Sequence, residues 1–224
     1  MIFESGDCIV FAGDSVTDMG SAQPVGDSTG NGDPLGIGYV RIFDSLMSCS
    51  YPDVELKIYN AGISGNTSRD LRLRFERDIV PFCPDWLFIC IGINDVWRQF
   101  DSSPYTDAAV LPEKYEENLD CMINAAKEIV KGIFILTPYY MEPLLADKMR
   151  ARMEEYCDIC RRLAEKHGCR LVDFQKMYDS YFSIKHSSSV AWDRVHPNQR
   201  GAMLMAREIL RQCDFDFDRE PYEA

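Results

Sequence analysis

Cys8-Ile9-Val10-Phe11-Ala12-Gly13-Asp14-Ser15 is the stretch on which the reading of the fold turns. Cys8 to Ala12 is apolar without interruption, the pattern of a strand buried on both faces of a parallel sheet. Gly13-Asp14-Ser15 then stops the run with turn residues. Leu56 to Asn60, Trp86 to Ile91, Gly132 to Leu136 and Cys169 to Asp173 repeat the motif of a short apolar run, so five strands are expected. Helical patterns fill the gaps. Tyr115, Leu119, Met122, Ala126 and Ile129 fall on one helix face, and so do Met149, Met153, Tyr156, Cys160 and Leu163. Gly168 is placed to end the second of these helices. A last helix is expected after Pro197, with Asn198 as N-cap, running through Met203, Ala206 and Leu210. Alternating strands and helices with right-handed crossovers make an α/β sandwich.

The bulk properties bound the function. A chain of 224 residues fits one domain, and 46% hydrophobic content is enough for a sizeable core. The net charge of -12 argues against nucleic acid or an anionic membrane as partner, because both require clustered Lys and Arg. The N-terminal residues carry no basic stretch followed by an apolar one, and no run reaches the length of a membrane span. The nine cysteines are odd in number, and Cys8 and Cys90 sit inside apolar runs, which suits reduced thiols in a cytoplasm. Cys157 and Cys160 form a C-x-x-C in mid-helix, a position that favours core packing over redox chemistry. The glycine-rich segment from Gly20 to Gly38 lacks the Gly-Lys-Ser/Thr ending of a phosphate loop and reads as a mobile or irregular loop beside Ser15.

Three positions share a description. Ser15, Gly62 and Asn94 each fall just past the carboxyl end of an expected strand, the edge where open parallel sheets bind ligands. Ser15 has the chemistry of a nucleophile, and its backbone N–H would be free to bind an oxyanion. Gly62 would add a backbone N–H, glycine permitting close approach and an unusual φ, and Asn94 would add a side-chain amide. Among the three histidines only His196 has a carboxylate, Asp193, three residues earlier in a loop pinned by Pro197. Asp193 would orient the imidazole and His196 would act as general base. Such a base must be neutral, so activity is expected to fall below about pH 6.5, the free imidazole value. Each of these residues taken singly reads equally as turn or capping chemistry. Trp97, Arg98, Tyr139 and Trp192 are candidates to wall a sugar or acyl pocket, with packing an equal alternative.

Four blocks in order carry more than any one of them. Ile9 to Asp18, Asn60 to Thr67, Gly92 to Trp97 and Asp193 to Pro197 together resemble the blocks of the SGNH, or GDSL, hydrolases. The resemblance implies a single domain over residues 1–224 with a flavodoxin-like three-layer α/β/α fold and a five-stranded parallel sheet. It implies Ser15 as nucleophile, Asp193 and His196 as the rest of a triad, Ser15, Gly62 and Asn94 as oxyanion donors, and neither metal nor cofactor. Gly92 to Gln99, Ile63 to Thr67 and Ala191 to Pro197 are similar, more narrowly, to the intracellular xylan acetylesterases of that family. That likeness implies an acetylated sugar as substrate, a cytoplasmic site of action and a homo-oligomer. Two rivals stand beside it. A thioesterase or lysophospholipase would keep the chemistry and need a deep apolar groove. A sugar-binding module would keep the fold without turnover.

Overall fold

The computed structural model describes residues 1–25, 32–101 and 109–220. Residues 26–31 of the glycine-rich segment lie outside the described residues. The five strands are β1 (Cys8–Gly13), β2 (Lys57–Gly62), β3 (Trp86–Cys90), β4 (Gly132–Leu136) and β5 (Arg170–Val172). All pair in parallel, in the order β2-β1-β3-β4-β5. The helices are α1 (Ser15–Asp18), α2 (Tyr39–Ser50), α3 (Ser68–Asp78), α4 (Ile93–Trp97), α5 (Pro112–Ala126), α6 (Lys148–His167), α7 (Phe174–Phe182) and α8 (Gln199–Arg211). α2 and α7 pack against α8, while α5 packs against both α3 and α6, giving the two helical layers around the sheet.

The chain runs from β1 out to β2, then crosses back to β3 on the other side of β1. Strand order therefore reverses between β1 and β3, and the crevice outside their carboxyl ends is the natural ligand position. Register sharpens this: Gly13 lies beside Gly62 of β2 and beside Cys90 of β3, so three strand ends reach one level. Below that level the core is close-packed. Phe11, Phe88 and Phe134 occupy matched positions on β1, β3 and β4, and their rings stack with centroids 4.6 and 4.2 Å apart. Phe11 also meets Tyr39 and Phe43 of α2 edge-on.

Several expectations need correction. β2 begins one residue and ends two residues later than the apolar run suggested, because the ladder with β1 runs from Lys57 opposite Cys8 to Gly62 opposite Gly13. β5 is shorter than Cys169 to Asp173, since Asp173 leaves the strand to cap α7 by accepting from the Lys176 N–H. Ile129 lies beyond the end of α5 and is 49% exposed. Met203 of α8 faces outward, and the buried face is Ala202, Met205, Ala206, Ile209 and Leu210. Asn198 does cap α8, accepting from Arg200 and Gly201, and Gly168 ends α6 in the left-handed region. Cys157 and Cys160 are free thiols buried in the core, and burial pushes Cys160 up to about 12.

Candidate active site

The turn after β1 is built to present Ser15. Asp14 caps the single turn of α1, its Oδ1 accepting from the Val16 N–H at 2.9 Å, and Met19 closes it in the left-handed region. Ser15 is thereby the first helical residue, with its side chain part-buried and its N–H meeting no acceptor among the described residues. Thr17 Oγ1 and Tyr39 OH, 2.8 Å apart, anchor the turn to α2.

The second half of the site comes from the other end of the chain. Residues 191–197 close on themselves: Ala191 bridges Pro197, the Asn198 N–H donates to Val190 O, and Arg194 takes a φ of 65°. The Met141 N–H donates to Arg194 O at 2.9 Å, and Arg194 pairs with Glu142. Inside this loop Asp193 divides its oxygens. Oδ1 accepts from the Val195 and His196 N–H groups at 3.0 and 2.8 Å, while Oδ2 lies 2.6 Å from His196 Nδ1. His196 Nε2 is 2.8 Å from Ser15 Oγ. Burial alone would raise the Asp193 carboxyl, but the bonds from the His196 ring and from the two N–H groups outweigh it and hold the group below the ordinary carboxylate range. An ionised Asp193 keeps the proton on Nδ1 and leaves Nε2 to accept from the serine hydroxyl, which is the arrangement that activates a nucleophile.

The oxyanion side is less uniform than expected. Asn94 is buried at the start of α4, and its Nδ2 donates one proton to Asn66 O at 3.0 Å. An amide nitrogen carries two protons, so one remains for a ligand. Gly62 is where close approach is essential, because a Cβ there would lie 2.2 Å from Asp18 N. Its φ is not in the left-handed region, so only one of the two expected reasons for glycine holds. The Gly62 N–H, moreover, donates to Asn60 Oδ1 at 3.0 Å. An oxyanion at this site would share that donor with Asn60, whereas the Ser15 N–H and the second Asn94 proton have no competing acceptor among the described residues.

Of the candidate wall residues, Trp97 stands by the site, its ring centroid 6.3 Å from that of His196. Arg98 stacks on Trp97 and pairs with Asp101. Trp192, next to Asp193, is 86% exposed. For Tyr139 the packing alternative holds: it is buried in the core against Phe174 and Tyr178, with its hydroxyl 3.7 Å from Met205 Sδ. The other histidines are apart from the site, His167 on Asp120 and His186 on Ser188. No cluster of His, Cys, Asp and Glu suited to a metal ion occurs among the described residues.

Two buried carboxyls, Asp14 next to Ser15 and Asp95 next to Asn94, flank the site. Burial raises Asp14 to about 7, against the bond from Val16 and with Asp95 adding to the rise. Burial likewise raises Asp95 to about 7, against bonds from the Ser68 hydroxyl and N–H. Asp95 thus ties the start of α3 to α4, which carries Asn94.

Residues 11–204 match the model of the GDSL-like lipase/acylhydrolase family. The acetylxylan esterase of Geobacillus stearothermophilus is 40% identical over 96% of this chain and 97% of its own length. The crystal structure of Axe2, an acetylxylan esterase from Geobacillus stearothermophilus, superposes with a TM-score of 0.91 at 40% identity, covering 96% of this chain and 98% of that one. Axe2 variants with alanine in place of a serine, an aspartate or a histidine are described as catalytic mutants of that protein. LAE5, an alpha/beta hydrolase from the metagenome of Lake Arreo, Spain, superposes with a TM-score of 0.90 at 43% identity, covering 95% of this chain and 97% of that one.

Proposed function

The chain belongs to the GDSL-like lipase/acylhydrolase family and is a carboxylic ester hydrolase, and we propose that it removes acetyl groups from acetylated xylo-oligosaccharides through an acyl-enzyme on Ser15. The observation that carries the reading is the unbroken relay from Asp193 Oδ2 to His196 Nδ1 at 2.6 Å and from His196 Nε2 to Ser15 Oγ at 2.8 Å. His196 takes the Ser15 proton as Oγ attacks the acetyl carbonyl. Asp193 stabilises the imidazolium that results. The Ser15 N–H and the Asn94 amide hold the oxyanion, with the Gly62 N–H shared between it and Asn60. His196 then protonates the departing sugar hydroxyl. Water, activated by the same imidazole, releases acetate from Ser15.

The acetylxylan esterase relative and the Axe2 structures support the substrate class. Trp97 beside His196 and the exposed Trp192 beside Asp193 offer flat apolar faces of the kind sugar rings stack on. The nine unpaired cysteines support a reducing compartment, in keeping with a cytoplasmic site of action.

The test is acetate release from acetylated xylo-oligosaccharides, run beside p-nitrophenyl acetate and p-nitrophenyl octanoate, with Ser15→Ala as blank. Fast, Ser15-dependent release from the sugar is expected, with the acetate ester turned over faster than the octanoate. Turnover of octanoate well above acetate, without release from the sugar, would transfer the chemistry to a long-chain acyl substrate and overturn the proposed one.

A further inference from the structure

Arg74 is a charged residue in the wrong place for an ordinary surface helix. It lies on the inward face of α3 beside Leu71 and Phe75 and is only 5% exposed. Its nearest carboxylate, on Asp78, is 3.6 Å from Nη1, an ion pair too long for a hydrogen bond, and Nη1 has no hydrogen-bond partner among the described residues. Burial accordingly lowers the guanidinium from its ordinary value, although it stays charged at any working pH. A buried cation whose one ion pair is this loose is costly, so what it holds by hydrogen bonds matters.

What it holds are the ends of β1 and β2 and the loop that follows β2. Nη2 donates to Gly13 O at 3.0 Å and to Ala61 O at 2.8 Å, the residues just before Asp14-Ser15 and just before Gly62. Nε donates to Asn66 Oδ1 at 2.7 Å. The carbonyl of that same Asn66 accepts the amide of Asn94. From this geometry we infer that Arg74 is a positioning residue of the esterase: through Asn66 it fixes the Asn94 amide where the oxyanion forms. The inference rests on Asn94 as an oxyanion donor. A planar guanidinium is needed because its donors diverge to three fixed acceptors, which a lysine ammonium cannot match. The α3–α4 join through Ser68 and Asp95 is an anchor separate from the Arg74–Asn66 bond.

The experiment is a double-mutant cycle read in kcat and KM with p-nitrophenyl acetate, at a temperature where each variant is folded by circular dichroism. Arg74→Lys and Asn66→Ala are each placed in wild-type and Asn94→Ala backgrounds, Asn66→Ala deciding alone if Arg74→Lys does not fold. Asn94→Ala should lose about 10²- to 10³-fold in kcat. Asn66→Ala and Arg74→Lys should each lose about tenfold in kcat, the scale of one charged hydrogen bond, with KM within about twofold. In the Asn94→Ala background the further loss should shrink to within about twofold, because the group being positioned is gone. Losses that multiply in full, or an Asn66→Ala enzyme with wild-type kcat, would overturn the inference. An unchanged kcat in Asn94→Ala would overturn it too and remove Asn94 from the site, while Ser15→Ala separately reports on the triad.

Discussion

Asp193→Asn should disable the enzyme while leaving the fold in place. The reason lies in how Asp193 uses its two oxygens. Oδ1 takes the Val195 and His196 N–H groups and Oδ2 takes the imidazole. In the asparagine variant the amide oxygen stays with the two backbone donors. Turning the amide over would lose both of those bonds and set an NH₂ against two N–H groups, costing about 2 kcal/mol or more. The amide nitrogen therefore faces Nδ1 and donates to it. That forces the imidazole proton onto Nε2, which at 2.8 Å from Ser15 Oγ would then donate where it must accept. The same substitution in another serine triad lowers kcat about 10⁴-fold, equivalent to about 5.4 kcal/mol at 1.36 kcal/mol per decade. We expect that loss in kcat on p-nitrophenyl acetate, with KM nearly unchanged and unfolding free energy within about 1 kcal/mol of wild type. Asp193→Ala, by contrast, should also destabilise the fold by about 2 to 3 kcal/mol, because it abolishes all three bonds. An Asp193→Asn enzyme that keeps kcat within about tenfold of wild type would refute the tautomer reasoning.

Other perturbations follow from the same contacts. Ser15→Ala should lose on the order of 10⁶ in turnover, by the scale of serine triads; substantial residual Ser15→Ala hydrolysis would remove Ser15 as nucleophile. Gly62→Ala forces a Cβ within 2.2 Å of Asp18 N and 2.8 Å of Thr17 C, which is backbone and cannot rotate away. Thermal unfolding should show a loss of about 1 to 3 kcal/mol together with reduced kcat, and a wild-type melting curve would count against this packing. For Asp95 the sign is set by its raised value. A carboxyl lifted to about 7 in the fold contributes stability that is whole below the unfolded value of about 3.9 and is lost as pH rises through about 7. Asp95→Asn removes that titration, so its deficit against wild type in urea unfolding should shrink by on the order of 2 kcal/mol between about pH 5 and about pH 8. A deficit that is constant, or that grows with pH, would show the carboxyl to be ionised in the fold.

Burial on both faces makes β1, β3 and β4 readable as unbroken apolar runs, and Ser15 and Asn94 stand just past the ends of β1 and β3, where those runs place them. Asp193 and His196 were legible because their pairing is local, three residues apart in a loop that closes on itself. What the spacing does not carry is direction rather than position. Tyr139 stands just past a strand end as expected, yet its ring turns into the core and its hydroxyl finds a sulfur there. The Gly62 N–H stands at the strand end too, but a neighbouring side chain, Asn60, reaches it first. Arg74 leaves a trace in the sequence, a charge on the apolar stripe of Leu71 and Phe75, where burial demands partners. Those partners are two strand-end carbonyls and a loop amide that lie outside α3, which no spacing within α3 encodes.

The most direct test of the central claim is to label the enzyme with a fluorophosphonate ester, whose adduct does not turn over, and map the modified peptide by mass spectrometry while following acetate release. The account predicts one adduct, on Ser15, accumulating in step with the loss of activity and absent from Ser15→Ala. Full inactivation with the label on another residue, or a fully labelled Ser15 with acetate release intact, would contradict it.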